Sequence, residues 1–508
     1  MRLSTKLALL LLWLFISNIP ILWGFISADP FVFSGFVLNP IDGASYYAKM
    51  QQGFVGNWYF QLPFTSEQNS PAIIFIFYLL LGQISRFFGC SIVFIFQLVR
   101  ISLSVLLFFV ITSFLQNIFK KNGKELKFAL LSMLFGGGWG WLYLAGKELP
   151  ADFWVAEAYP FLSSFSNPHF ILTLVCMIGI LNLVLKENRL KMDFLAVILY
   201  GLVLSSISPF ATLLMGVIVL IFFAANSEFC NKTNILFLLC LGLGSAPFSI
   251  YQFVVVRNDP VLRIWNEQNI TPTPVPLNLI LSFSPFIFAV LYYLYLIFIR
   301  KQALSKSTYL LLIWVTVVLL FVFIPINLQR RFLVGFYIPV VILFWQVMEE
   351  INTKFFTQKI YPYIIITVLI SNFIIYAGII SAIMDKNENI FIASELIDAV
   401  QYIESTGKGS VIILSDQSSS LWVPAYSINR VFHAHPFETI AFEDKANYFE
   451  EFWSGTYSYE EQKDFLNKHN ISFILENNEY PGEFLKTGQS AFPTLFENEK
   501  FTVFGVSE

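Results

Sequence analysis

Apolar runs of bilayer length recur along the first three quarters of the chain. They lie near residues 7–26, 92–118, 128–146, 169–185, 194–208, 209–225, 235–256, 277–299, 308–326, 332–348 and 361–384. A helix rises about 1.5 Å per residue, so roughly 20 apolar residues cross a hydrocarbon core about 30 Å thick. The pattern predicts about eleven transmembrane helices. A further run, 72–89, is broken by Gln83 and Arg86. The first run follows Met1-Arg2-Leu3-Ser4-Thr5-Lys6 and shows no small-residue cleavage site before Asp29, so it reads as an uncleaved span rather than a signal peptide.

Basic residues set the orientation. The clusters Lys120/Lys121/Lys124/Lys127, Lys186/Arg189/Lys191, Arg300/Lys301/Lys306 and Lys354/Lys359 can all face the cytoplasm only if 72–89 makes no full crossing. That run is therefore read as an interfacial or half-buried helix on the outer side. The N-terminus is then cytoplasmic. Segments 27–91, 147–168, 257–276, 327–331 and 385–508 gather on the outer face, opposite short basic loops. Long polar segments collected on one face predict a site that faces outward.

The pattern changes after residue 385. Residues 386–508 alternate helical and strand periodicities: helices at Ile392–Glu404, Phe442–Trp453 and Tyr459–Lys468, and strands at Val411–Leu414, Val431–His433, Ile471–Leu475 and Phe501–Phe504. The fold class is thus a polytopic α-helical membrane protein with two parts. Residues 1–385 form the membrane module, with its outer loop 27–91, and 386–508 form a small extracytoplasmic α/β domain. That domain contains no GxGxxG and no phosphate-binding loop.

Composition supports the bilayer reading. Of 508 residues, 56% are hydrophobic and 13% charged, against about 25% charged in soluble domains. A net charge of −3 argues against general nucleic-acid binding. Cys90, Cys176, Cys230 and Cys240 form no CxxC pair, so neither a disulfide framework nor a zinc site is expected.

The most informative polar stretch is Asn39-Pro40-Ile41-Asp42-Gly43-Ala44-Ser45-Tyr46-Tyr47-Ala48-Lys49-Met50. Asp42 opens it, and Tyr46, Lys49 and Met50 follow at helical spacing, as in a polar helix lying on the membrane. An outer-loop Asp is otherwise a solvated turn residue. This Asp-x-x-x-Tyr stretch just after the first span, the long outer loop, and the apolar helix opened by Pro71-Ala72-Ile73 resemble the GT-C superfamily of membrane glycosyltransferases, whose relatives include protein O-mannosyltransferases and aminoarabinose transferases. The resemblance covers residues 1–385 in topology, on short motifs. It implies a polyprenyl-phosphate sugar donor, a glycan, lipid or protein acceptor, and inverting displacement. It also assigns Asp42 as the catalytic carboxylate. A positioned carboxylate base is worth roughly 10²–10⁴-fold in rate.

Other candidates follow. Arg330 and Arg331, between two spans on the outer face, suit bidentate phosphate contact or, more blandly, lipid headgroups. GT-C enzymes use arginine near the lipid phosphate, which favours binding. Arg100 sits inside a span, where an unpaired charge costs roughly 2.5–3.5 kcal/mol. It is read as a further phosphate contact paired with Asp42, Asp152 or Glu157, or as an arginine snorkelling outward. The family often carries a second acidic residue in the next outer loop. Glu157 is the choice here, with His169 nearby, and Asp152 is the alternative, since the Asp-Pro pair common in mannosyltransferases is missing. Tyr46, Lys49, Asp152, His169 and Glu67 are read as lining the substrate path, although Glu67 equally suits a cap on the 72–89 helix. The 257–276 loop is either an ordered lid or a plain connector. His433-Ala434-His435 with Glu438 has the ingredients of a metal cluster, but no HExxH-type helix accompanies it and no metal is expected. Some GT-C members use a divalent ion and others do not. Gly136-Gly137-Gly138 lacks the Lys-Ser/Thr ending of a phosphate loop and reads as helix packing.

Two other function classes fit a polytopic chain. A transporter or lipid flippase should show broken helices in symmetric halves, and no such symmetry is visible. A non-catalytic scaffold with a partner-binding α/β domain would tolerate loss of Asp42.

Overall fold

The computed structural model describes residues 2–119, 123–225, 231–351, 357–407, 409–484 and 492–506. Lys120, Lys121, Lys354 and Cys230, which entered the reading of orientation and cysteine usage, lie outside the described residues. Six helices among the described residues are long and apolar enough to cross a membrane: Leu3–Ile26, Ile92–Ile118, Pro168–Leu185, Lys232–Asn258, Gln329–Ile351 and Lys359–Met384. The apolar helices Ile76–Phe88, Pro209–Ala225, Phe288–Phe298 and Lys306–Phe321 are shorter. The chain is an integral membrane protein, but the expected eleven full spans are not all present as continuous helices. The 72–89 run forms the 13-residue helix Ile76–Phe88, short of the roughly 20 residues a crossing needs.

Two compact units make up the chain. The helical unit comprises Met1–Leu22, Leu98–Tyr251 and Ile270–Ala382. The mixed unit comprises Trp23–Gln97, Gln252–Asn269 and Ile383–Glu508.

Two expected spans in the helical unit are interrupted. The 128–146 run is helical only over Lys124–Phe135, because Gly136-Gly137-Gly138 follows, and each glycine costs a helix about 1 kcal/mol. The 277–299 run splits into Pro276–Ser282 and Phe288–Phe298 around Pro285. Pro285 has no N–H, so the Leu281 carbonyl loses its helical partner four residues on. Trp139 N–H takes that place at 2.9 Å. The Ser282 carbonyl accepts from the Tyr159 hydroxyl at 2.7 Å. Each broken helix thus satisfies the other's backbone, as buried polar groups require. A Cβ at Gly138 would run into the Ser282 carbonyl, so only glycine allows this approach. The Gly138 and Gly140 amides donate to Asp152 Oδ2 at 2.9 and 3.2 Å.

The mixed unit is built on a five-stranded sheet. Its strands are β3 (Ile412–Ser415), β4 (Arg430–Val431), β5 (Ile471–Asn477), β6 (Thr494–Glu497) and β7 (Phe501–Gly505), after a separate antiparallel pair of β1 (Val32–Phe33) and β2 (Phe391–Ile392). The order is β4-β3-β5-β7-β6. β3 runs parallel to β4 and β5, and β7 runs antiparallel to β5 and β6. Phe432, Phe449, Phe452, Phe465, Ile474 and Phe504 are among the core residues between this sheet and helices Phe442–Trp453 and Tyr459–Lys468. Ser458 and Glu461 form a capping box that starts the second helix. Helix Gln417–Tyr426, capped by Asp416, and strand β6 were not anticipated from the sequence.

The first outer segment belongs to the same unit. Helix Pro40–Phe54 lies against Ile76–Phe88 through glycines: a Cβ at Gly53 would meet the Leu79 carbonyl, and one at Gly82 the Met50 carbonyl. The 257–276 region holds the ordered helix Pro260–Gln268, with Asp259 as its cap. Asp259 also accepts from Ser70 N at 2.7 Å, and Gln268 Nε2 donates to the Thr439 carbonyl at 2.6 Å. Leu262 joins Phe60, Leu62, Ile74, Leu79 and Ile440 in an apolar cluster.

Candidate active site

Helix Pro40–Phe54 starts with Asn39 in the left-handed region (φ 51°) and Pro40 in the first turn, which suits proline because the first-turn amide has no helical partner. Asp42 lies in that turn, where the helix dipole favours negative charge. Ser45 and Lys49 follow at positions i+3 and i+7, so they line one face with it. That face meets the turn after β4. Lys49 Nζ bonds Glu438 Oε1 at 2.7 Å and also Ser45 Oγ, which in turn donates to Glu438 Oε1. The ring centroid of Phe75 lies 4.5 Å from the ammonium, and those of Tyr46 and Phe60 at 5.6 Å. Burial alone would push the Glu438 carboxyl up. The Lys49 charge, with the Lys49 and Ser45 hydrogen bonds, pulls it below its ordinary value. His435 Nε2 lies 3.7 Å from Asp42 Oδ1, and the Asp42 side chain is 43% exposed against 3% for His435. Tyr46 stacks on Tyr78 at 4.5 Å.

A second cluster forms in the helical unit. The 151–168 stretch is a chain of short turns, Ala151–Trp154, Ala156–Ala158 and Pro160–Phe165, and is almost wholly buried. Glu157, 5% exposed, lies 3.9 Å from Arg331 and 4.0 Å from Arg330 through Oε1. The Arg330 guanidinium also sits 4.2 Å over the Trp154 ring. The arginines ride on the tight turn Gln329–Leu333, whose backbone is tied down at both ends. Arg330 N–H donates to the Thr271 carbonyl at 3.1 Å, and Gly335 N–H to the Glu157 carbonyl at 2.9 Å. A buried carboxylate is tolerable only beside positive charge, and the two arginines supply it.

The remaining candidates have definite surroundings. Asp152 is fully buried in the glycine segment. Burial pushes its carboxyl up to about 6, although the Ser371 hydroxyl and the Gly138 and Gly140 amides draw it partly back. Arg100 is 1% exposed, and its guanidinium donates to the Ser164 carbonyl and to Asn18 Oδ1 rather than snorkelling outward. His169 begins helix Pro168–Leu185 and packs on Phe170 at 4.1 Å. Glu67 pairs with Lys445 at 2.5 Å. It caps no helix, since Ile76–Phe88 begins after Phe75. Lys49 turns inward to Glu438.

The two neighbouring histidines diverge. β4 ends at Val431, short of the expected Val431–His433, so His433 and His435 do not share a strand face. His433 packs 4.8 Å from Phe449, and burial together with the Lys445 charge lowers it to about 4. Among the described residues no three His, Cys, Asp or Glu side chains are grouped to hold a metal. The Lys49 ammonium bonds Glu438 through Oε1. The contacts that join Asp42, Ser45 and Lys49 to the turn after β4 escaped the sequence reading. They link residues nearly 400 positions apart, and no local spacing signals them.

No family model and no curated sequence matches the chain. Solved structures do. The oligosaccharyltransferase of Archaeoglobus fulgidus in its apo form aligns with 97% of this chain and 73% of its own, at 13% identity and a TM-score of 0.59. ArnT from Cupriavidus metallidurans bound to undecaprenyl phosphate aligns over 99% and 98%, at 10% identity and 0.55. The arabinofuranosyltransferase AftD from Mycobacteria aligns over 98% and 40%, at 12% identity and 0.55. At such identities the likeness is one of architecture alone, and the chain shares its fold with these solved proteins.

Proposed function

We propose that the chain transfers a sugar from a polyprenyl-phosphate donor to an extracytoplasmic acceptor, with Asp42 as general base. The observation that carries this reading is exposure. Within the cluster of Asp42, Lys49, His435 and Glu438, the Asp42 side chain is 43% exposed and the other three are 10% or less. Asp42 is therefore the group able to touch a substrate. Two relatives in fold support the donor class: AglB has been solved with a dolichol-phosphate and ArnT with undecaprenyl phosphate. The acceptor's O–H or N–H gives its proton to the carboxylate as its heteroatom attacks the anomeric carbon. The polyprenyl phosphate leaves from the opposite side with inversion.

Arg330 and Arg331 hold the donor phosphate, through planar N–H forks suited to phosphate oxygens. Glu157 is the second acidic residue and keeps the two guanidinium groups oriented. Arg100, whose guanidinium donates to the Ser164 carbonyl and Asn18 Oδ1, is a further candidate for the phosphate. The sugar and the acceptor follow from turnover assays with defined donors. The test of the phosphate role is binding. Arg330→Ala with Arg331→Ala is expected to weaken a polyprenyl-phosphate sugar roughly tenfold or more in nanodiscs, and the acceptor much less. Equal donor affinity in the double variant would remove the arginines from that role.

A further inference from the structure

His435 is 2% exposed, and among the described residues its Nε2 has no hydrogen-bond partner. Its tautomer is set by the turn that carries it. Phe437 N–H donates to Nδ1 at 3.2 Å, which makes Nδ1 the acceptor and leaves the proton of the neutral ring on Nε2. The turn is itself held. The Glu438 and Thr439 amides donate to the His435 carbonyl at 3.1 and 2.9 Å, and the Thr439 hydroxyl donates to the Phe64 carbonyl at 2.7 Å. The His435 ring rests on Phe64 at 5.6 Å. A buried N–H on a fixed ring therefore faces Asp42 Oδ1 across 3.7 Å, about 0.8 Å beyond the usual hydrogen-bond length.

We propose that His435 is a positioning residue for Asp42, its Nε2–H bonding Oδ1 so that Oδ2 is presented to the acceptor. The inference rests on the reading of Asp42 as the base. The acceptor's proton goes to Oδ2, and His435 keeps its own throughout. Other titratable groups face Asp42. Tyr78, on Ile76–Phe88, feels the Asp42 charge and stacks on Tyr46 of the Asp42 helix, while Lys49 of that helix pairs with Glu438 of the His435 turn. The Lys49 ammonium is bonded to Glu438 and Ser45. The imidazole thus brings a directed donor from the C-terminal part of the chain to a helix of the first outer segment.

Two arms test this, on full-length protein in lipid nanodiscs. The first needs no turnover. The chain has four histidines, so ¹⁵N-histidine labelling gives a small set of ring signals, and His435→Gln assigns its own. Asp42→Asn is expected to move the His435 Nε2 resonance and leave those of His169, His433 and His469 in place. An unmoved resonance, or a ring protonated on Nδ1 alone, overturns the pairing. The second arm is kinetic. His435→Ala is expected to lower kcat roughly tenfold or more, with donor KM unchanged and the acidic limb of the rate profile moved to higher pH. His435→Gln, which keeps an N–H donor, restores most of the rate. Equal losses in both variants with a raised donor KM would mark a structural role and overturn the proposal. If wild type itself turns over no donor, the base reading fails while the resonance arm still decides whether the two residues pair.

Discussion

At the scale of single residues, the Lys49–Glu438 pair is sealed from solvent at both ends, with side chains 1% and 10% exposed. Breaking such a pair leaves an uncompensated buried charge, at a cost of about 3–5 kcal/mol, while replacing both partners by apolar groups is often neutral. Lys49→Met is therefore expected to lower the thermal midpoint sharply. Lys49→Met with Glu438→Leu should recover most of it. A double variant as unstable as the single would show that the pair's shape, not its charge balance, matters. Asp42 stands out in the sequence because a lone acidic residue opens a helical pattern just after a span. Its neighbours do not, since sequence spacing says nothing about which distant turn lands on a helix face. His435 and Glu438 drew attention only as metal donors.

At the scale of elements, hydrogen-bond demand decides where apolar runs stop being helices. Hydropathy alone merges 128–146 and 277–299 into spans. The glycine run and the amide missing at Pro285 break both, and the broken ends meet as partners. Pro20, Pro247 and Pro362 stay inside helices, and the Ile16 carbonyl freed by Pro20 accepts from the Tyr376 hydroxyl at 3.0 Å. Helices Phe442–Trp453 and Tyr459–Lys468, by contrast, fall on their expected bounds, because capping and amphipathic signals agree. Gln417–Tyr426 was missed because its serine run and Pro424 carry little helical propensity. Asp152 gives the glycine segment a pH signature. Its carboxyl titrates near 6 when folded against 3.8 otherwise. Both states are protonated below pH 3.8, and the folded state keeps the proton longer. Its stabilising contribution is thus present at low pH and lost as pH rises to about 6. Relative to Asp152→Asn, wild type is expected to lose on the order of 3 kcal/mol between about pH 4 and pH 6, then stay level. A stability difference independent of pH in thermal melts would contradict this.

At the scale of the whole molecule, the bilayer class and the α/β C-terminal part were legible from run length and periodicity. The number of full crossings was not, because span counting reads composition and not continuity. The grouping of 383–508 with 23–97 and 252–269 was also invisible, since it depends on non-local contacts. Orientation is a proposal from the basic loops: the N-terminus faces the cytoplasm and the C-terminal part lies outside. Glu479, whose side chain is 57% exposed, provides a reporter. In a cysteine-free background, Glu479→Cys is expected to react with a membrane-impermeant maleimide on intact cells. Labelling only after permeabilisation would reverse the orientation.

The central claim is that Asp42 is the base of a lipid-linked sugar transfer. Its most direct test is release of polyprenyl phosphate from a panel of polyprenyl-phosphate sugars by purified protein in nanodiscs, comparing wild type with Asp42→Asn. Wild type is expected to consume one donor. Asp42→Asn, folded and inserted alike, is expected to lose roughly 10²–10⁴-fold in rate. Turnover undiminished in Asp42→Asn would contradict the base assignment, and a folded wild type inert toward every donor would contradict the transfer itself.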